Sequence, residues 1–217
     1  MKNKLTLPYF TQAICWLILK PALLFFARFK VFNQKNILGL KPPIIIVCNH
    51  QSFYDALFLG NALNLTSSLL PLRFMAKDVI YKHFSFKIYA WLSGAFPSKK
   101  HQGLAISLAK PVDILKKNGT VALFPEGSVV REDRVACEQG RKGAAMLACF
   151  GNYAILPVAI KGTIGINFSN FLLRRHKVRI VFGQPFGLNC PFSSFDADYQ
   201  EQTQKIMAKI KELYDSL

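Results

Sequence analysis

Acidic side chains are scarce in this chain: 12 Asp and Glu stand against 28 Lys and Arg, a formal net charge of +16 over 217 residues. Such an imbalance attracts anionic partners, whether nucleic acid, acidic lipid or a phosphorylated substrate, and does not by itself choose among them. The five cysteines, Cys15, Cys48, Cys137, Cys149 and Cys190, are odd in number and form no CxxC pair. That argues against a disulfide framework and a zinc site, and leaves them as reduced, mostly buried thiols. No Gly/Ser-rich or charge-rich linker divides the chain, and no repeat or low-complexity tract occurs, so one core is the default. A GxSxG nucleophile elbow is missing too. No constellation of metal ligands is visible.

What the chain does have is apolar material. Hydrophobic residues make up 51% and charged residues 18%, which leaves a surplus that an apolar neighbour such as lipid would cover. Its N-terminus is the richest part: Ala13 to Leu19 is unbroken apolar, Lys20 interrupts, and Pro21 to Ala27 is apolar again, edged by Lys2, Lys4, Arg28, Lys30 and Lys35. Neither run reaches the roughly 20 residues of a bilayer span. The pattern predicts two helical pieces hinged at Pro21 that dip into one leaflet as an uncleaved monotopic anchor, with cations at the head groups. Residues 1–40 are therefore expected to form a membrane-associating element, and residues 41–217 an α/β domain.

Beyond Lys41, short branched runs alternate with helical patterns. Ile44 to Cys48, Leu72 to Ala76, Thr120 to Phe124, Ile155 to Ile160 and Val178 to Phe182 read as strands buried on both faces. Ser52 to Ala62, Val79 to Leu92, Gly103 to Lys117 and Arg141 to Phe150 read as helices, with a kink expected at Pro111. Tyr199, Thr203, Ile206, Ile210 and Leu213 recur at helical spacing and predict a C-terminal helix with one face on the sheet. The alternation implies a mostly parallel central sheet flanked by helices, whose crevice lies at the carboxyl ends of the strands.

At that end of the first predicted strand stands Asn49-His50-Gln51-Ser52-Phe53-Tyr54-Asp55. A strand-to-helix bend lets the Asp55 carboxylate approach the His50 ring, fix its tautomer and steady the imidazolium, so His50 can act as base toward a hydroxyl. Of the four histidines, only His50 has an acid five residues on; His83, His101 and His176 suit surface or core roles. A second strand runs into Phe124-Pro125-Glu126-Gly127-Ser128. There Glu126 should face solvent or meet a cation or substrate hydroxyls, and Gly127 should leave N–H groups free for an anion or oxyanion. Basic clusters at Lys99 and Lys100, at Arg141 and Lys142, and from Arg174 to Arg179 read equally well as solvated faces.

The two motifs, in this order, resemble the glycerolipid acyltransferase family typified by 1-acyl-glycerol-3-phosphate acyltransferases, over about Pro42 to Thr163. The resemblance implies that Asn49, His50, Ser52 and Asp55 form the catalytic block and that Phe124 to Ser128 hold the polar head of the acceptor. Lys142-Gly143-Ala144 is similar to the family's lysine-glycine element, and Leu156-Pro157-Val158 with Lys161, Gly162 and Thr163 to its fourth block. Where the family's second block ends in Asp-Arg, this chain has Ser98 and Lys99, followed by Lys100; where an Arg usually follows FPEG(S/T), it has Val129, with Arg131 two residues on. Catalysis is thus expected from His50 and Asp55, and substrate contacts from Glu126, Gly127, Ser128, Lys99, Lys100 and Arg131.

The fold implied is that of glycerol-3-phosphate acyltransferase, with a two-helix membrane element at residues 8 to 30. The resemblance further implies acyl-CoA or acyl carrier protein as co-substrate, no cofactor or metal, a lysolipid acceptor in an anionic bilayer, and no nucleic acid. It places the chain at the cytoplasmic membrane, peripheral or monotopic, with its site facing the cytoplasm. Because Lys99 lacks the bidentate fork of an arginine, an amino-acid lipid or a lysophosphodiester remains an alternative acceptor. A basic nucleic-acid-binding module and a non-catalytic membrane scaffold remain alternatives of other classes.

Overall fold

The computed structural model describes residues 6–77, 81, 84–98, 103–132, 137–190 and 196–217. Among the described residues, seven strands form one sheet: β1 (Lys30–Phe32), β2 (Ile44–Cys48), β3 (Leu72–Lys77), β4 (Ala95–Ser98), β5 (Thr120–Leu123), β6 (Ala154–Lys161) and β7 (Arg179–Phe182), in the order β1-β7-β6-β2-β5-β3-β4. Every neighbouring pair is parallel except β6 and β7. The expected mostly parallel sheet is therefore present, with β1 and β7 running against the other five strands. At its centre β2 carries five successive apolar residues, all buried. An unbroken run of that kind suits a strand covered on both faces.

The helices divide between the two faces. On one lie α1 (Leu7–Phe26), α2 (Asp55–Ala62) and α6 (Phe168–Leu172), whose inward residues join a cluster with Ile44, Ile46, Phe74, Leu156 and Ile180. Beside α1 on this side is α3 (Phe84–Leu92). On the other face α4 (Leu104–Lys116), α5 (Gly143–Gly151) and α7 (Asp196–Asp215) pack on Ile45, Val47, Val121 and Ile155. The C-terminal periodicity is realised in α7, where Thr203, Ile206 and Ile210 are at most 1% exposed.

Two expectations are corrected here. The N-terminus is a single continuous helix rather than two pieces hinged at Pro21, which lies inside α1. A proline there forfeits one backbone hydrogen bond, and the turns on either side are still held by their own i to i−4 bonds. Pro111 lies inside α4, as expected. The second correction concerns the thiols: Cys149 and Cys190 form a disulfide, with Cα atoms 5.4 Å apart and a sequence separation of 41, while Cys15, Cys48 and Cys137 are free and buried. The end of α5 and the loop after β7 come together only in the folded sheet, so no local spacing announces the pair.

α1 is turned inside out by the standards of a water-soluble helix. Leu7, Phe10, Ile14, Leu17, Ile18, Leu24 and Phe25 are all exposed, whereas Thr11 and Gln12 are buried. Inward, the Gln12 amide donates to the carbonyls of Leu72 at 2.6 Å and Ser93 at 3.1 Å and accepts the Leu72 N–H at 2.9 Å. Trp16 Nε1 donates to Leu63 O at 2.8 Å, and Lys20 Nζ donates to Asn61 O. The helix is thus fastened by Leu23 in the core and by polar side chains on backbone carbonyls, and shows an apolar stripe outward.

Candidate active site

β2, β5 and β6 run parallel, so their carboxyl ends share one edge of the sheet. Just past β2, Asn49 extends the strand: its Nδ2 donates to Ile160 O at 2.8 Å and its Oδ1 accepts Ile160 N–H at 2.7 Å. That two-pronged bond, wholly buried, fixes where the chain leaves the sheet. The next residue is His50.

Asp55 then gathers the bend around one oxygen. Its Oδ2 lies 2.9 Å from His50 Nδ1 and accepts the N–H groups of Gln51 and Ser52, each at 2.7 Å. The carboxylate has no solvent exposure. With Nδ1 committed to the carboxylate, Nε2 is the ring nitrogen able to exchange a proton. The imidazole stacks on Phe124, centroids 4.1 Å apart at 15° between planes, and Phe124 stacks in turn on Phe74 at 6.1 Å. Three near-parallel rings therefore set the imidazole plane, and β5 and β3 supply the support.

Glu126 is placed differently from expectation. Rather than facing solvent or a cation, it is 9% exposed, with Oε2 accepting the His50 backbone N–H at 2.7 Å and Oε1 accepting the Cys137 N–H at 3.0 Å. Burial raises its pKa above the ordinary carboxylate value, opposed by the two backbone donors and by the nearby imidazole. A buried carboxylate with no basic partner is tolerable when such N–H groups satisfy it. Burial also pushes the neighbouring Cys137 thiol up to about 12, with Glu126 adding to the effect, which makes that sulfur a poor nucleophile.

Gly127 corrects a second expectation. At φ +72° it adopts the left-handed conformation glycine tolerates, and its N–H donates to Phe124 O at 3.0 Å, so that amide is engaged in the turn and is not offered to an anion. What the glycine does allow is passage of Arg141: a Cβ on Gly127 would lie 2.4 Å from Arg141 Nε. The Arg141 N–H donates to Pro125 O at 2.7 Å, and Val130 N–H donates to His50 O at 2.7 Å. The loop after β5 is thus bonded both to His50 and to the start of α5.

These groups border a cleft of about 210 Å³ lined by His50, Phe124, Gly127, Ser128 and Arg141 and by Phe74, Ala90 and Ser93. Its walls are mostly apolar, with few polar groups near His50, as suits an acyl chain carrying a polar head. The structure thus brings His50, Asp55, Glu126, Gly127 and Ser128 together. Arg131 is exposed and lies off this cleft; Lys99 and Lys100 lie outside the described residues. Arg141, read in sequence only as part of a basic pair, is brought by the fold to line the cleft, as is Lys77. The signal that could have found Arg141 is its place two residues before Gly143, at the start of the helix that follows the Glu126 loop.

A family model described as Acyltransferase matches residues 28–161. The chain is 25% identical over 193 residues to a probable 1-acyl-sn-glycerol-3-phosphate acyltransferase of Mycoplasma pneumoniae, covering 85% of this chain and 70% of that protein. It is 26% identical over 202 residues to the protein of the same description in Mycoplasma genitalium, covering 89% and 74%. Among solved structures, that of the 1-acyl-sn-glycerophosphate (LPA) acyltransferase PlsC from Thermotoga maritima superposes with a TM-score of 0.68. The identity is 19%, and the match covers 94% of this chain and 79% of that one, a likeness of fold.

Proposed function

Because the chain belongs to the acyltransferase family, we propose that it moves a fatty acyl group from acyl-CoA or acyl carrier protein to the hydroxyl of a lysolipid in phospholipid biosynthesis. Its relatives carry the name 1-acyl-sn-glycerol-3-phosphate acyltransferase, and the chain is an O-acyltransferase of that type. The observation that carries the mechanism is the 2.9 Å contact between Asp55 and Nδ1 of His50, whose ring lines an apolar cleft.

In this reading the acceptor hydroxyl gives its proton to His50 Nε2 as its oxygen attacks the thioester carbonyl carbon. Asp55 stabilises the imidazolium that results. Collapse of the tetrahedral intermediate breaks the C–S bond, and the imidazolium returns the proton to the departing thiolate, so ester and free thiol leave and the ring is neutral again. Glu126 acts on His50 through the backbone and is a positioning residue rather than a contact to the acceptor. The Arg141 guanidinium is the group we assign to the acceptor phosphate, a role its forked donors suit. That favours 1-acylglycerol-3-phosphate over an amino-acid lipid, despite Ser98, Lys99 and Val129.

The exposed stripe of α1 supports association with the cytoplasmic membrane, the side on which both thioester donors occur. An apolar stripe faces outward while Leu23 and the polar side chains of Gln12, Trp16 and Lys20 bind the domain, an arrangement unfavourable in water and favourable in a leaflet. Ile88 and Trp91 on α3 are exposed as well, and Ala90 and Ser93 beside them line the cleft; a lysolipid can therefore enter from the bilayer along that helix.

Purified full-length protein should be offered a panel of lysolipids with labelled acyl-CoA and acyl carrier protein. Ester formation from 1-acylglycerol-3-phosphate that disappears in His50→Ala is the expected result. Absence of ester with every acceptor, or full rates in both His50→Ala and Asp55→Asn, would overturn the proposal.

A further inference from the structure

We propose that α6, together with Arg174 and Arg175, is a second membrane-contact element that seats the active-site edge of the domain on the head groups of an anionic bilayer. The inference rests on the reading of α1 as a helix lying in a leaflet and extends it to a segment with no apolar length of its own.

α6 contributes no fully buried residue. Phe168 is 77% exposed and Leu173, just past the helix, 62%, while Phe171 alone turns inward to the core. Two large apolar side chains that far into solvent cost free energy with no packing return, unless something apolar covers them. The segment is also firmly attached to α1. Phe171 lies 5.4 Å from Phe26, the Arg174 guanidinium sits 4.5 Å over the Phe25 ring, and Val178 N–H donates to Ala27 O at 3.0 Å. The exposed face of α6 therefore continues the stripe of α1.

Charge identifies the occupant. No Asp or Glu occurs from residue 1 to 54 or from 139 to 195, so the sequence of α1, β1, β6, α6 and β7 carries no acid at all. Arg28, Lys30, Arg174, Arg175 and Lys177 are all exposed there. Apolar side chains ringed only by cations match the acyl-to-headgroup boundary of an anionic leaflet. Position gives the contact a purpose: α6 follows β6, whose Val158 pairs with Cys48 just before the His50 turn, so this element stands at the same sheet edge as the site. α1 holds the domain to the membrane, and α6 tilts the reacting edge toward the lipid.

The test uses the full chain with vesicles of phosphatidylcholine alone or with about 30 mol% phosphatidylglycerol, a surface charge at which each nearby cation counts. Flotation of wild type is compared with Phe168→Ser/Leu173→Ser, with Arg174→Glu/Arg175→Glu, and with Phe150→Ser. Phe150 is 62% exposed but sits on α5, on the opposite face. The apolar pair should weaken partition to both vesicles by about tenfold. The charge reversal should abolish the preference for anionic vesicles, about tenfold or more, and Phe150→Ser should bind as wild type. Thermal midpoints in detergent show that the variants are folded.

Because a tightly inserted α1 could mask a change in partition, Phe168→Trp adds a direct depth measurement. Its fluorescence should be quenched by brominated-acyl lipid beyond the quenching of Trp16 and Trp91. Wild-type binding with no effect of either pair and no added quenching overturns the role of α6 and leaves α1 intact. A wild type that floats with neither vesicle overturns both readings. Variants that float normally but lose only the reaction with acyl carrier protein would make α6 a protein-docking surface and overturn the lipid assignment.

Discussion

The backbone N–H of His50 donates to Glu126 Oε2 at 2.7 Å across 76 residues of sequence, so the two motifs are bonded to one another and not merely placed near the same substrate. Each depends on the other for position: Glu126 holds the amide of the residue whose ring meets Asp55, and Val130 of the same loop holds its carbonyl. Replacing Glu126 with Gln puts an NH2 group against one of two N–H donors and breaks one bond. We expect kcat to fall about 10- to 100-fold through misplacement of His50, with the acceptor KM nearly unchanged. A large rise in KM with preserved kcat would instead show direct contact with the acceptor.

The same carboxylate gives a pH signature. Its pKa is raised from 4.5 by burial, so between that value and the raised one the folded state binds more protons than the unfolded state. Stability contributed by this group is therefore greatest at acid pH and is lost as pH rises through the folded-state pKa. Glu126→Gln removes the titration. Thermal midpoints of the two proteins at pH 8 and pH 5 should show wild type gaining on the variant at the lower pH.

His50→Ala removes the base outright and should lower kcat/KM by roughly 10³- to 10⁴-fold, within the range of a lost general base and its orientation. Asp55→Asn should come close to it, because an amide oxygen in the place of Oδ2 can still accept the His50, Gln51 and Ser52 N–H groups but carries no charge to stabilise the imidazolium. Initial rates with a single acyl donor check this. A variant at either position with more than about a tenth of the wild-type rate would contradict a one-base mechanism.

How much of this was legible in the sequence depended on whether the signal was local. β2 was read to the residue because five apolar positions in a row allow little else, and His50 to Asp55 because the pairing spans a single bend. β1, β4 and α6 went unread. They are three to five residues long, and β1 and α6 owe their positions to β7 and α1 rather than to any pattern of their own. Glu126 was recognised as important, but its bonds to the backbone went unread, since its two N–H donors come from residues 50 and 137. Arg141 was seen as half of a charge cluster because its contact with Gly127 is made across the loop after β5, and only its place just before Gly143 and α5 hinted at it.

Arg141→Ala should raise the KM for 1-acylglycerol-3-phosphate by about 10- to 100-fold while kcat changes by only a few-fold, the loss expected for one charge-assisted contact to a phosphate. Arg141→Lys should recover part of it, lacking the fork. Acceptors without a phosphomonoester should be little affected. Steady-state rates against the two acceptor classes decide the point: equal losses on both would assign Arg141 to the donor or to the fold.

Gln12 provides a test in which polarity and function run in opposite directions. Its amide makes three hydrogen bonds, to Leu72 O, Ser93 O and Leu72 N–H, and packs so closely on Gly94, at φ +75°, that a Cβ there would meet Gln12 Nε2 at 2.4 Å. Gln12→Leu makes α1 more apolar and, on hydropathy alone, a better lipid helix. It also strands backbone groups at the start of β3 and the end of α3, at a cost on the order of 3 kcal/mol. If α1 is fastened to the domain by these polar contacts, the variant should still float with vesicles, yet melt several degrees lower and be cut more readily by protease between α1 and β2. If membrane contact alone holds α1 in place, the melting temperature will not move. Flotation, thermal melting and limited proteolysis of the one variant therefore separate attachment to the domain from attachment to the bilayer.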